Sequence, residues 1–217
     1  MLQTMNDIIL IGGVPRSGKT QLARRLSREL SVPWVSTDAL EAIAHRYVPN
    51  EDADSVFPKA AMRRETKCSN DLLYGTYTTE EILDSYMRQA EATAPGISAL
   101  VGYAAKEGWG YVIEGYHVTP ALVSELGEQG CVCEAAFLVN SSPHAALNHS
   151  MTSSVASDWV RDRTESVDTL EKIADMITLF STQLTHDAKG CNMPVFDVGA
   201  SFEEVLQAAY DRIVSRA

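Results

Sequence analysis

Residues 13–20 read Gly-Val-Pro-Arg-Ser-Gly-Lys-Thr and match the pattern G-x-x-x-x-G-K-S/T without a mismatch. Glycines let the backbone turn tightly and bring successive N–H groups up to a phosphate chain with no Cβ in the way. In such loops the lysine, here Lys19, brings a positive charge to the β- and γ-phosphates, and the Thr20 hydroxyl can bind Mg²⁺. The residues that we expect to contact the nucleotide are Gly13, Val14, Arg16, Ser17, Gly18, Lys19, Thr20 and Gln21.

The sequence on both sides of this loop predicts a strand before it and a helix after it. Residues 8–11 form a short apolar run, rich in β-branched side chains and ending at glycine, which is typical of a buried strand. Leu22, Leu26 and Leu30 are spaced at i, i+4 and i+8, so they share one helical face. Strand, loop and helix are the setting that phosphate-binding loops require. A glycine-rich turn with a solvated lysine is the alternative interpretation.

The chain has 217 residues, 45% of them hydrophobic, and a formal net charge of −11. Its length suits one α/β domain over residues 1–217. The negative charge argues against a general nucleic-acid or anionic-membrane binder. No apolar segment reaches about 18 residues and the start lacks a basic signal-peptide region, so we expect a cytoplasmic protein without a membrane partner. The four cysteines lack paired metal spacing, which favours reduced thiols over a metal or redox site.

Asp38 follows the second predicted strand, residues 32–37, and has two interpretations. Asp38 and Glu41 have the spacing of a capping box, which makes Asp38 a candidate helix N-cap. The carboxyl end of a strand is also where open α/β sheets place ligands, so the same carboxylate can serve a reaction. The two roles are compatible, and we expect Asp38 to take part in the active site.

Residues 45–77 contain two prolines, an acidic run and a basic run, and we expect this long segment to be irregular. Long insertions are usually either functional or disordered. The basic side chains have two interpretations, a solvated surface or contacts with an anionic group of a substrate. The candidates for substrate binding are Arg46, Arg63, Arg64 and Lys67.

The third predicted strand, residues 111–114, ends in Glu114 and is soon followed by His117. A carboxylate at the end of such a strand can hold or orient Mg²⁺, although aspartate is the usual residue. Glutamate reaches further, so contact through a water molecule or with the substrate is equally open. His117 precedes Thr119-Pro120, an N-cap and first-turn pair, and is a candidate for substrate binding or for a structural hydrogen bond.

Capping boxes indicate two further helices. Thr78 and Glu81 begin a helix that we expect Pro95-Gly96 to interrupt, and Asp168 with Glu171 begins a later one. Five strand segments alternate with helical segments along the chain. This order predicts an α/β fold with a five-stranded parallel sheet and helices on both faces.

Arg161 and Arg163 occupy alternate positions of the connector that precedes the long helix. Two arginines in such a connector can reach over a bound nucleotide and neutralise charge during transfer of a phosphoryl group. The alternative is a pair of surface arginines that form ion pairs with Asp158, Asp162 or Glu165.

Three phrases carry a resemblance to a known family: residues 12–20, Ser-Thr-Asp at 36–38, and Ile-Glu-Gly-Tyr-His at 113–117. With the paired arginines before a long helix, they resemble the P-loop small-molecule kinases, which include the shikimate, gluconate and nucleoside-monophosphate kinases. The phrases are most similar to those of 2-phosphoglycerate kinase-type proteins. The chain departs from the family pattern at Glu114, where aspartate is more common, and residues 45–77 match no substrate motif.

This resemblance implies ATP and Mg²⁺ as cofactors and a small-molecule substrate. It also implies a lid near residues 155–168 and a substrate-binding region within 39–77. Thr20 and Glu114 would bind the metal, and Asp38 would orient or deprotonate the acceptor hydroxyl. The implied catalytic residues are Lys19, Asp38, Arg161 and Arg163. The substrate candidates are Asp38, Arg46, Arg63, Arg64, Glu114 and His117.

The leading hypothesis is an ATP-dependent kinase of a small hydroxyl- or phosphate-bearing metabolite, with 2-phosphoglycerate as one candidate. A second hypothesis keeps the fold but makes the acceptor a nucleotide, an antibiotic or a sugar derivative. A third is a regulatory nucleotide-binding switch with little turnover, although the chain has no Asn-Lys-x-Asp guanine signature. The sequence predicts no particular oligomeric state.

Overall fold

The computed structural model of the protein describes residues 8–152, 154 and 158–216. Within these residues, five parallel strands form one sheet in the order β2-β3-β1-β4-β5, with helices on both faces, which confirms the predicted fold class. The strands are β1 (Ile8–Gly13), β2 (Trp34–Ser36), β3 (Tyr111–Glu114), β4 (Cys133–Val139) and β5 (Val195–Asp197). β1 is therefore the central strand.

Helices connect the strands and cover the sheet. They are α1 (Lys19–Leu30), α2 (Thr37–Ala44), α3 (Ala53–Val56), α4 (Pro58–Glu65), α5 (Asn70–Thr76), α6 (Thr79–Glu107), α7 (Pro120–Glu128), α8 (His144–Thr152), α9 (Val167–Gly190) and α10 (Phe202–Val214). A short 3₁₀ turn, Arg161–Arg163, lies between α8 and α9. Over the described ranges, no helix combines the length and the apolar character needed to cross a bilayer.

β1 is buried along its whole length because helices cover both faces of the sheet. Ile8 and Leu10 belong to a core that includes α6 and α9, whereas Ile9 and Ile11 belong to a second core with α1 and α10. Alternate side chains of a strand point to opposite faces, which explains the division. A strand buried on both faces needs this continuous apolar run.

The strand register brings three strand ends together at the carboxyl edge of the sheet. Ile11 of β1 pairs with Glu114 of β3, and Ser36 of β2 pairs with the same glutamate. The chain leaves β1 into the loop 13–20 and leaves β2 into α2. The loop, Asp38 and Glu114 therefore meet at this edge, where open α/β sheets bind ligands.

We expected the segment 45–77 to be irregular from its sequence. This prediction is wrong, because the segment contains the short helices α3, α4 and α5. Pro58 occupies the first turn of α4, where the amide hydrogen that proline lacks would have no helical partner. Ser69 caps α5 by accepting a hydrogen bond from the Leu72 amide. Helices this short are marginal alone, and packing of α4 on α6 and of α5 on α9 stabilises them.

α6 runs unbroken for 29 residues through Pro95, so the predicted interruption is wrong. Pro95 and Glu91 both lie on the exposed face of the helix, so the Glu91 carbonyl that loses its helical donor can bind water. The opposite face packs against α2, α4 and α9. The predicted capping box of Thr78 and Glu81 is confirmed at the start of the helix.

The other two predicted capping boxes are wrong. Ser36 is the N-cap of α2, and its Oγ accepts a hydrogen bond from the Asp38 amide at 3.3 Å. Asp38 therefore lies in the first turn, and Glu41 is released from a capping role. The N-cap of α9 is Ser166, with Asp168 again inside the first turn. In both places a serine two residues earlier takes the cap position.

A close contact after β3 fixes the start of α2. Gly115 has a φ of 154°, and a Cβ at this position would lie 1.8 Å from Thr37 Oγ1. The same hydroxyl is hydrogen-bonded to Nδ1 of the buried His117 at 2.7 Å. Glycine is required here because it alone lets the two chain segments approach so closely.

We expect Gly115→Ala to lower the free energy of unfolding by about 2–4 kcal/mol, because the new methyl group must displace Thr37 from its hydrogen bond. Denaturant unfolding followed by circular dichroism measures the change. Gly102→Ala in α6 is the matched control, since a Cβ there meets nothing within 4 Å. The control should stabilise the helix by up to about 1 kcal/mol. Wild-type stability of Gly115→Ala would contradict the close contact.

Candidate functional site

The loop 13–20 forms a cradle of backbone amides at the end of β1. Arg16 and Gly18 have positive φ angles of 61° and 85°, and Gly18 is the N-cap of α1. Within the described residues, the N–H groups of residues 16–21 donate to no backbone acceptor. Unpaired amides at the start of a helix attract an anion, so this loop fits a chain of phosphates.

Lys19 is half-buried beside the loop, and its Nζ donates to the carbonyl oxygen of Val14 at 2.6 Å. The buried hydroxyl of Ser17 donates to the same oxygen at 2.8 Å. Burial lowers the pKa of Lys19 to about 8, against the opposing influence of the Glu114 and Asp38 carboxylates. A bound phosphate would favour the charged ammonium form and so raise this pKa.

Thr20 and Glu114 place two oxygen groups next to the loop. Thr20 Oγ1 donates to Glu114 Oε1 at 3.1 Å. Burial raises the pKa of the Glu114 carboxyl group, in spite of the nearby Lys19 and Thr20. With its proton directed at Glu114, the Thr20 hydroxyl keeps its lone pairs for a metal ion. Hard oxygen donors of this kind suit Mg²⁺, so the pair fits the predicted metal.

The loop has a cavity on each side. The volumes are about 540 Å³ and about 580 Å³, and Arg16, Gly18 and Gln21 line both cavities. The charged side chains that line the first of these two cavities and not the second are Lys19, Asp38, Glu41, Lys59, Arg63, Glu114 and Arg163. The apolar side chains of the second cavity are Ala145, Ala146, Val198 and Phe202. A ligand that lies along the loop can therefore reach into both cavities.

Asp38 lines the first cavity with a side chain that is 73% exposed. Its Oδ1 lies 3.9 Å from Nδ1 of His117. Among the described residues, no hydrogen-bond donor contacts this exposed carboxylate, and its Coulomb interaction opposes the lowering of the Lys19 pKa. Asp38 is thus placed where it can accept a proton from a bound molecule.

His117 lies behind the cavity wall and does not line the first cavity. It is fully buried, and its Nε2 is 2.8 Å from Glu41 Oε2. The carboxylate can only accept, so Nε2 carries a proton and Nδ1 accepts from the hydroxyl of Thr37. Burial lowers the pKa of His117. The histidine therefore orients Glu41 and does not reach the cavity.

Lys59 is a cavity residue that the sequence did not reveal. Its ammonium group lies 3.7 Å from Glu41 Oε2 and hydrogen-bonds to the Tyr116 hydroxyl. The same group lies 4.1 Å from the ring centroid of Tyr116 and 4.7 Å from that of Tyr86. Burial alone would raise the pKa of Glu41, but the His117 hydrogen bond and the Lys59 charge lower it to about 2.

Different signals were available for the missed residues. Glu41 lies three positions after Asp38 on one helical turn, so a shared face was readable from the sequence. Lys59, Tyr86 and Trp159 line the first cavity from three separate segments of the chain. No local pattern connects those segments, and only the tertiary fold brings these side chains together.

The predicted substrate arginines lie in different places. Arg63 is half-buried, lines the first cavity and lies over the ring of Trp159, 5.8 Å from its centroid. Arg64 forms an exposed ion pair with Asp54 at 2.5 Å. Arg46 is exposed after α2, and Arg46 and Arg64 do not line the first cavity. Lys67 lines a separate cavity.

The connector, defined here as Asp158–Ser166, carries the two predicted lid arginines. Residues 155–157 of the predicted lid lie outside the described residues. Arg163 lines the first cavity. Arg161 donates to Asp162 Oδ1 through Nε at 2.9 Å and Nη2 at 2.7 Å, and it lines a separate cavity. Arg163 lines that separate cavity as well, so the two arginines share it, and Arg163 alone of the two also lines the first cavity.

An ion pair joins the connector to the loop. Arg16 binds the carboxylate of Asp158, which is 6% exposed. The other oxygen of Asp158 accepts from the Val160 amide at 3.0 Å. Because a buried charge needs its partners, this pair holds the start of the connector against the loop 13–20.

Comparison with known proteins gives partial sequence matches. No protein-family model matches the chain. It is 30% identical over 122 residues to a 2-phosphoglycerate kinase of Pyrococcus horikoshii, and the match covers 56% of this chain and 38% of that protein. It is 26% identical over 120 residues to a mevalonate-3-phosphate 5-kinase of Thermoplasma acidophilum, covering 55% of each. The match thus spans about two fifths to one half of the length of these relatives.

Solved structures match the fold over nearly the whole chain. A gluconokinase from Sinorhizobium meliloti has a TM-score of 0.51 at 14% identity, covering 98% of this chain and 94% of that one. An uncharacterized protein from Eubacterium ventriosum has a TM-score of 0.50 at 15% identity, covering 96% and 99%. The chain therefore has the fold of the P-loop kinases and is similar in sequence to small-molecule kinases of that type.

We expect the affinity of this site for ATP to fall as the pH rises above 8. Because its pKa is lowered to about 8, the Lys19 side chain is a neutral amine above that pH. Binding of phosphate then requires the amine to take up a proton. The fall should approach about tenfold per pH unit until the pKa of the bound state is reached. Calorimetric titration between pH 7 and pH 9.5 measures it.

Lys19→Arg is the control for this titration, because a guanidinium group stays charged throughout the range. Whatever the affinity of this variant for ATP at pH 7, it should not vary with pH between 7.5 and 9.5. A wild-type profile as flat as that of the variant would show that Lys19 does not titrate in the site.

Proposed function

We propose that this chain is an ATP-dependent phosphotransferase that acts on a small molecule with a hydroxyl group and an anionic group. The position of the loop between two unlike cavities carries this proposal. One cavity has an apolar wall, and the other is lined by acidic and basic side chains. A donor and an acceptor of a phosphoryl group need such a pair of compartments that meet at the phosphates.

The second cavity suits the nucleoside of ATP. Phe202, Val198 and Ala146 supply apolar surface for a base. From there the triphosphate would follow the free amides of residues 16–21 toward Lys19. The terminal phosphate would then enter the first cavity.

The first cavity suits the acceptor and the chemistry. Asp38 would accept the proton of the attacking hydroxyl, and Lys19 with Arg163 would hold the phosphoryl oxygens and balance their charge. Mg²⁺ held at Thr20 and Glu114 would supply further positive charge to the phosphates. Transfer of this kind depends on position and charge more than on covalent help from the protein.

Lys59 and Arg63 would bind the anionic group of the acceptor at the far end of the first cavity. The relatives support this choice, because their names denote kinases of hydroxy carboxylates that already bear a phosphate. We therefore propose a phosphorylated hydroxy acid as the acceptor class, with 2-phosphoglycerate as the first compound to test.

The direct test is ADP formation from MgATP over a panel of phosphorylated hydroxy acids, sugars and nucleoside monophosphates. We expect one hydroxy acid to raise turnover far above hydrolysis without acceptor. Lys19→Ala serves as the blank, with a loss of at least about 100-fold because its charge on the phosphates is missing. A flat panel with confirmed ATP binding would contradict the kinase and favour a nucleotide-dependent switch.

The active acceptor then separates the roles of Asp38. Asp38→Asn should lower kcat by about 10²–10⁴-fold with little change in the KM for ATP, because the variant loses only a proton acceptor. Asp84→Asn, an exposed position of α6, is the matched control. A wild-type kcat for Asp38→Asn would show that Asp38 accepts no proton in the reaction and has only a structural role in the first turn of α2.

A further inference from the structure

Asn70 is a buried residue that contacts two segments next to the first cavity, α4 and the connector. It is 0% exposed and begins α5. Its Oδ1 accepts a hydrogen bond from Arg63, and its Nδ2 donates to the Trp159 carbonyl at 3.1 Å and to Thr164 Oγ1 at 2.8 Å. The guanidinium can only donate and the carbonyl can only accept, so this orientation of the amide is the one that satisfies every partner.

Asp71, the next residue, holds the end of the connector. Its Oδ2 accepts from the Glu165 amide at 2.9 Å, and its Oδ1 accepts from the Ser166 amide at 3.1 Å. The connector is therefore bound to α5 along its second half. Its first residue, Asp158, is bound to the phosphate-binding loop.

The partners of Asn70 are cavity residues or their direct neighbours. Arg63 and Trp159 both line the first cavity, and the guanidinium of Arg63 lies over the ring of Trp159. Thr164, itself 4% exposed, follows Arg163, which lines the same cavity. If either α4 or the connector moved alone, the buried side-chain amide of Asn70 would lose a hydrogen-bond partner, which is unfavourable.

We propose that Asn70 is a positioning residue that makes the acceptor wall, Pro58–Thr76, and the connector open and close as one unit. This inference rests on the proposed function for its consequence. An acceptor bound at Arg63 would stabilise the connector and so hold Arg163 over the phosphates. Transfer to the acceptor would then exceed transfer to water, because the bound acceptor would hold Arg163 in the position that it has in the first cavity.

The first test measures hydrogen–deuterium exchange in wild type, Asn70→Ala and Thr164→Val. Thr164→Val keeps the volume of the side chain and removes one partner of Asn70. In Thr164→Val we expect the amides of residues 159–166 to exchange about 3–10-fold faster, as the loss of one buried hydrogen bond implies. Exchange should be faster still in Asn70→Ala, because that variant loses the hydrogen bonds to Arg63, Trp159 and Thr164. Thr178→Val is the matched control, since its hydroxyl bonds only to a carbonyl of its own helix, α9.

The second test uses the acceptor found by the panel and compares ADP formed with phosphorylated acceptor formed. We expect a ratio near one in wild type and a ratio raised several-fold in both variants, with a higher KM for the acceptor. The KM for ATP should stay within about twofold. A purely structural role would lower the amount of active enzyme and leave both the ratio and the acceptor KM unchanged.

The outcomes separate the two proposals. Wild-type exchange of residues 159–166 in both variants would overturn the role of Asn70, whether or not an acceptor is known. Faster exchange with an unchanged product ratio would overturn it as well. The variants could show the faster exchange of residues 159–166 while wild-type protein transfers phosphate to no acceptor. That result would overturn the proposed function and leave the role of Asn70 in place.

Discussion

Glu114 is the buried carboxylate on which the geometry of the site depends. Strand pairing sets it beside Ile11 of β1 and Ser36 of β2, so its position is fixed by the sheet itself. From there it accepts a hydrogen bond from the Thr20 hydroxyl, and its negative charge opposes the lowering of the Lys19 pKa by burial. The sheet thereby sets the direction of the hydroxyl that we propose to bind the metal, and places a carboxylate near the ammonium group that we propose to bind phosphate. Such preorganisation is what phosphoryl transfer requires of a protein.

The charges of the chain are distributed unevenly. The net charge of −11 would repel phosphorylated ligands, yet Lys19, Lys59, Arg63 and Arg163 converge on one cavity. Lys59 lies beside two aromatic rings and Glu41, and the buried His117 in turn orients that glutamate. These four basic side chains come from α1, α4 and the connector.

Local signals predicted the parts of the fold that local interactions determine. The strand, loop and helix around residues 8–30 and the capping box at Thr78 were readable because neighbouring residues form them. The interruption predicted at Pro95 was wrong because the sequence does not say which face of a helix is exposed to water. The short helices within 45–77 depend on packing against α6 and α9, and so do the positions of Lys59 and Asn70. Side chains that meet only through tertiary structure leave no pattern in one sequence.

In the proposed enzyme, the loop divides a nucleoside compartment from an acceptor compartment. A crystal structure with Mg²⁺ and a non-hydrolysable ATP analogue tests it most directly. We expect the base against Phe202 and Ala146, the triphosphate on the amides of residues 16–21, and the terminal phosphate between Lys19 and Asp38. A base bound between Tyr86 and Trp159, in the other cavity, would contradict it.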